Sequence, residues 1–234
     1  VSTPKRVLVL TTTFPRWKDD TDPPFVYELS RRLLVGYRIT VLAPHYPGGS
    51  AKEDFAGLRV HRYRYFFSPW ERLAYGSGGG ILQRLRHRPA YWVTVPCLIL
   101  GQLLALCRLL RRHRFDLIHA HWLIPQGLVA LIAKSICRAD LPVICTAHGG
   151  DLFGLKGTGL ENVKKFVARR SDAITVVSRA MKKELIRLGS DPDRVHVLPM
   201  GTDLERVFTP KEGDRDVNRC CSWGGWWKKK GCGF

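Results

Sequence analysis

The sequence predicts an α/β domain built on a doubly wound, mainly parallel sheet. Short apolar runs of Val, Ile and Leu recur along the chain, as expected of strands buried on both faces. Between them lie amphipathic stretches of about ten residues, the helix lengths of strand–helix–strand units. With 234 residues, 45% of them hydrophobic and 25% charged, the chain suits one large globular domain and excludes a disordered protein.

The elements follow in order. "RVLVLTT" from Arg6 is a buried strand, and "PPFVYELSRRLL" is a helix with Phe25, Leu29 and Leu33 on one face, opened by Asp22 as N-cap and stopped by Gly36. "YRITVLAP" is the second strand. "GLRVHRYRY" is the third, with Leu58 and Val60 alternating inward. "YGSGGG", residues 75–80, does not link a strand to a helix as a phosphate-cradling loop must, so it reads as a flexible connection. Further on, "FDLIHAHW", "PVICTAH", "DAITVVS" and "DRVHVLPMG" are strands, and "PQGLVALIAKSIC", "ENVKKFVARRS" and "RAMKKELIRLG" are the helices between them.

The run "YWVTVPCLILGQLLALC", residues 91–107, carries no charge and has basic flanks. It has just the length of a spanning helix, but Pro96, Gly101 and Gln102 favour a buried or membrane-surface helix. The net charge is +18; five basic and two acidic groups fall in residues 214–234, so +15 lies before them, much of it between Arg59 and Arg114. Such an excess points to solvated arginines or to an anion-binding surface, and no nucleic-acid-binding motif interleaves with it. Cys97, Cys107, Cys137 and Cys145 stand singly in apolar stretches, as buried free thiols of a reducing compartment do. With no signal-peptide layout at "VSTPKRVLVL", the expected location is cytoplasmic, peripheral on the inner face of the membrane.

Ligands of doubly wound sheets collect at the carboxyl ends of strands. There His119 and His121 point to one side of their strand, "TAHGGDLFG" brings two glycines and Asp151 after His148, and Ser178 is placed to N-cap a helix. Read alone, His119, His121, His148 and Asp151 could bind zinc, or His119 could simply cap its strand.

The stretches "VLVLTTTFPRW", "PFVYELSRRL", "ITVLAP", "DLIHAHWLIPQG", "VICTAHGGDLFGL", "SDAITVVSRAMKKEL" and "VHVLPMGTDLERVF" resemble the N-terminal, acceptor-side domain of the GT-B fold, family-four retaining glycosyltransferases. The resemblance covers nearly all of residues 5–208. It implies a Rossmann-like domain forming one wall of a cleft. There a sugar passes from a nucleotide-sugar donor to a glycan or lipid-linked hydroxyl acceptor with retention, without a metal or other cofactor. His148 matches the family histidine at the cleft, Gly149, Gly150 and Asp151 shape the same wall, and Ser178 and Gly201 match positions that face the cleft or the domain junction; His148 and Asp151 are the expected catalytic residues, and Phe14, Arg16, Trp17, His121, Gly149, Gly150, Ser178 and Gly201 the expected acceptor- or donor-sugar contacts. Where many relatives place Gly-Gly after the first strand, this chain has "FPRWKDDTDPPF", so Arg16 and Trp17 are expected to stack on or hydrogen-bond the acceptor.

Residues 1–208 are thus expected to be the acceptor-side domain, 209–219 a linker and 220–234, "CCSWGGWWKKKGCGF", an out-of-frame tail. Regrouped one base earlier, the codons of that tail allow "LLFVGRLVEKKGVRF", which resembles the opening strand of the family's donor domain. A frameshift near Arg219 would leave the chain without that domain and inactive. A basic membrane-surface binding module without transferase activity is the alternative reading.

Overall fold

Four consecutive residues of the first strand, Val7 to Leu10, are at most 3% exposed, so both faces of the sheet are covered at its centre. The computed structural model describes residues 3–17, 20, 24–75 and 80–201. The strands are β1 (Lys5–Leu10), β2 (Tyr37–Pro44), β3 (Lys52–Phe55), β4 (Leu58–Tyr63), β5 (Leu117–His121), β6 (Val143–Ala147), β7 (Ala173–Val176) and β8 (Val195–Val197). They form one sheet in the order β3-β4-β2-β1-β5-β6-β7-β8, parallel throughout except for the β3–β4 pair. β1 lies between β2 and β5, so the strand order reverses beside it, and ligands of sheets of this kind collect at the carboxyl ends of such strands.

One face carries Leu8, Leu10, Leu42, Ile118, Cys145 and Ile174 and is covered by α3 (Thr94–Arg112), α4 (Leu128–Cys137) and α6 (Thr158–Arg170). The other carries Val7, Val9, Ile39, Val41 and Val60, packed on Phe14 and on Val26 of α1 (Phe25–Leu33). The remaining helices are α2 (Gly80–His87), α5 (Gly150–Phe153) and α7 (Arg179–Arg187). The described residues up to Pro199 form one compact unit, and the chain from Met200 on is divided from it.

The helix expected within residues 91–107 is α3, and each of its irregular residues has a place. Pro96 sits in the first turn, where no intrahelical N–H is lost. Gly101 meets the chain after β4: a Cβ there would stand 2.9 Å from the Arg64 carbonyl oxygen. Gln102 is fully buried. The stretch Pro89–Arg112 is long and apolar enough to cross a membrane, yet one side of it packs on the domain.

Three elements were not expected: β3, α2 and the single turn α5 after the glycine pair. β3 is polar in sequence, "KEDF", and forms because Ala56 and Gly57, both at positive φ, fold it back on β4. α2 starts within the glycine-rich stretch expected to be a connection. The Asp22 cap, Asp19 and Thr21 of the first loop, most of that glycine stretch, residues 202–208, the expected linker and the tail lie outside the described residues.

Candidate functional site

The loops after β5 and β6 meet at the carboxyl ends of their strands, together with Phe25 at the start of α1. His119 and His121 do lie on one side of β5, their ring centroids 4.4 Å apart. His119 Nε2 bonds Thr146 Oγ1 at 2.7 Å, and Thr146 Oγ1 lies 2.6 Å from Thr175 Oγ1, giving a polar rung across three strands. His121 Nδ1 lies 3.1 Å from His148 Nε2 with the rings only 16° from parallel, an edge-to-edge bond that holds one proton between two imidazoles.

The turn after β6 explains its glycines. Gly149 has φ +92°, which a side chain would strain, whereas Gly150 opens α5 with open space where a Cβ would stand. Asp151 then faces back: its Oδ2 accepts from Leu123 N at 2.7 Å and its Oδ1 from His148 N at 3.1 Å. The carboxylate is 3% exposed, and burial raises its pKa against these N–H bonds. Asp151 therefore positions the His148 turn through its backbone.

His148 is flanked by Phe25 at 4.8 Å and Trp122 at 4.9 Å between ring centroids. Trp122 holds φ +75°, a conformation rare for a residue with a side chain and found where a site is shaped. Burial, and secondarily the nearby His119, pushes the His148 imidazole down to about 4. Burial alone holds His119 at about 4, and burial with both neighbours drives His121 well below the ordinary value. All three are neutral at pH 7.

Two ring nitrogens, His148 Nδ1 and His121 Nε2, are buried without a partner among the described residues. The shared proton decides what His148 offers. Resting on His148 Nε2 it leaves Nδ1 as an acceptor; resting on His121 it leaves Nδ1–H as a donor. Either form suits a hydroxyl group, which both donates and accepts. One nitrogen of each ring is engaged, that of His119 by Thr146 and those of His121 and His148 by each other, and among the described residues no group of three or more side chains is arranged to hold a metal.

The first loop is bound to a different neighbourhood. Arg16 pairs with Asp20 at 2.7 Å and lies 4.2 Å over the Trp17 ring, and its carbonyl accepts from Tyr46 OH. Trp17 is 51% exposed beside Tyr46. Buried Arg62, unnoticed in the sequence, braces the loop by donating to Pro15 O at 2.6 Å, Tyr75 OH at 3.1 Å and Glu53 at 2.8 Å. A His45–Glu71 contact of 2.6 Å fixes the neighbouring turn. Phe14 needs correction as a sugar contact: it is 0% exposed and packs on Tyr27 and Phe55. Ser178 caps α7 as expected, accepting from Met181 N at 3.4 Å. Gly201 is exposed and lies in the chain divided from the compact unit at Met200.

A protein-family model described as Glycosyltransferase Family 4 matches residues 25–206. The chain is 29% identical over 90 residues to N-acetyl-alpha-D-glucosaminyl L-malate synthase of Bacillus anthracis, covering 37% of this chain and 24% of that protein. It is 33% identical over 109 residues to D-inositol 3-phosphate glycosyltransferase of Xylanimonas cellulosilytica, covering 41% and 24%. Among solved structures, HepE of Anabaena in complex with UDP-glucose superposes with a TM-score of 0.52 at 15% identity, over 85% of this chain and 44% of that one. The matched stretches thus span about a quarter of the curated relatives and under half of HepE. The family match runs through Phe25, the paired histidines, the Asp151 turn and the Ser178 cap, and by it the chain belongs to glycosyltransferase family 4.

Proposed function

We propose that this domain is the acceptor-side half of a retaining glycosyltransferase that moves a sugar from a nucleotide-sugar to a glycan or lipid-linked hydroxyl. The observation that carries the reading is the neutral His148 imidazole, caged by Phe25 and Trp122, with Nδ1 unpartnered at the strand ends. A buried polar nitrogen without a partner is satisfied when a ligand supplies one, and a sugar hydroxyl is such a partner. The UDP-glucose held by the HepE neighbour supports a nucleotide-sugar as donor, and the inositol phosphate in the name of one relative supports a hydroxyl acceptor. Arg16 and Trp17 then serve the acceptor, and Asp151 positions His148. The enzyme works in the cytoplasm at the inner face of the membrane.

The charge that develops at the anomeric carbon has to be met by the donor phosphates, and their clamp belongs to the family's other domain. Residues 220–234 are out-of-frame codons of that domain's first strand, and the 234-residue chain does not turn over. Sequencing the DNA through the Arg219 codon tests the frame. Transfer from UDP-, ADP- and GDP-sugars is then measured for the 234-residue chain and for the frame-restored product. Turnover by the restored product alone is expected, with His148→Ala lowering kcat about tenfold, the worth of one hydrogen bond. Turnover by the short chain would overturn the fragment reading, and none by the restored product would overturn the transferase reading.

A further inference from the structure

Helix α3 has two apolar sides, and the domain covers one. Leu98, Gln102, Leu106 and Leu109 turn inward and are at most 7% exposed. Opposite them, Val93, Leu100 and Leu104 are 67%, 55% and 56% exposed, and by helical spacing Arg108 and Arg111 continue the same stripe. The chain after β4 runs beside this helix, because Gly101 touches the Arg64 carbonyl and Trp70 meets Tyr91 at 6.0 Å. It adds Phe67, 76% exposed, and Trp70, 43% exposed, and Trp92 stands 58% exposed just before the helix. Large apolar side chains left exposed along α3 and beside its start in this number mark an interaction site.

Charge selects its occupant. From Arg59 to Arg114 the chain has eleven arginines, of which Arg62 is buried against Glu53, no lysine and one acid, Glu71, which is fully buried against His45 and the Tyr65 amide. A second copy would bring the same positive field to the interface. Nucleic acid would neutralise the arginines yet leave Leu100 and Leu104 in water. A plane of phosphates above an apolar layer satisfies both groups at once.

We propose that the outer face of α3, with Phe67, Trp70 and Trp92, docks on a bilayer rich in anionic phospholipid. The helix lies in the plane of the interface, its leucines and aromatic rings in the acyl boundary and Arg108 and Arg111 at the phosphates. Docking needs no sugar transfer; only its use in reaching a lipid-borne acceptor rests on the function proposed above.

The test is flotation of the full 234-residue chain with phosphatidylglycerol–phosphatidylcholine vesicles and with phosphatidylcholine alone. Binding is expected only with the anionic lipid and should fall as salt rises. Leu100→Gln with Leu104→Gln should weaken it at least about tenfold, and Arg108→Gln or Arg111→Gln about fivefold each. These side chains are exposed, so circular dichroism and urea unfolding of the variants should match the parent. Equal binding to both vesicles, no binding at low salt, or resistance to alkaline extraction as for a spanning helix would overturn the proposal. So would self-association abolished by the leucine changes, or nucleic-acid binding with no vesicle binding. Flotation without transferase activity in the frame-restored product would keep the docking face and discard the catalytic reading.

Discussion

Acidification should unfold this domain through its buried histidines, and His148 gives a measure of how much. Its imidazole is held at about 4 by burial and by His119, against about 6.5 for an exposed ring. As the pH drops below the ordinary value, the unfolded chain takes up a proton that the native protein refuses, so acid favours unfolding. The contribution is complete above about pH 7.5 and is lost between about 6.5 and 4. For His148 alone the loss at pH 5 is about 2 kcal/mol. His148→Gln removes this term while also losing the ring contacts to Phe25 and Trp122. The variant is therefore less stable at neutral pH, but the gap to the parent should narrow by about 2 kcal/mol between about pH 7.5 and 5. Urea unfolding followed by circular dichroism at fixed ionic strength measures it. A gap that stays constant would mean that native His148 protonates as readily as the unfolded residue, and the caged neutral imidazole would be wrong.

Five further substitutions probe the supports of the site and of α3. Asp151→Asn keeps one acceptor but aims an NH2 at the second amide, and should cost about 2–3 kcal/mol in thermal unfolding; a change below about 0.5 kcal/mol would show that the carboxylate is not the clip between the Leu123 and His148 amides. Gly149→Ala has space, its nearest neighbour being Met181 Sδ at 4.0 Å, so its expected loss of about 1–2 kcal/mol is conformational. Gly150→Ala, measured beside it, should be neutral. In α3, Gly101→Ala should lower stability by about 1–3 kcal/mol despite alanine's helix preference, because the Arg64 carbonyl must retreat. Ser178→Ala should cost about 0.5–1 kcal/mol by helix denaturation, the lower part of the range for a cap whose bond is 3.4 Å long.

Much of the sheet was readable because its signal is local. Val7 to Leu10 form an unbroken apolar run, and the pairing of His119 with His121 on one side of β5 follows from the two-residue strand period. The Ser178 cap was equally local. β3 was hidden because Lys52–Phe55 is polar and exists through its partner strand and a two-residue turn. Phe14 looked like a loop residue, since nothing in "TTTFP" shows that Tyr27 and Phe55 close around it. Arg62 did carry a signal: the alternation that turns Leu58 and Val60 inward also turns Arg62 inward, but its three acceptors come from three distant segments. For Asp151 the sequence showed a carboxylate after two glycines and could not show that both oxygens bind backbone amides. Phe25 and Trp122 belong to the site through tertiary packing alone, one at the start of α1 and the other after β5.

One carboxylate ties the amide after β5 to the amide at the end of β6. The two strand ends are thereby a single mechanical part, and neither loop can yield without straining the other. A shift of the His148 backbone therefore disturbs a carboxylate that Leu123, next to Trp122 at its positive φ, also uses. Redesign of either loop alone would therefore have to preserve a bond that belongs equally to the other.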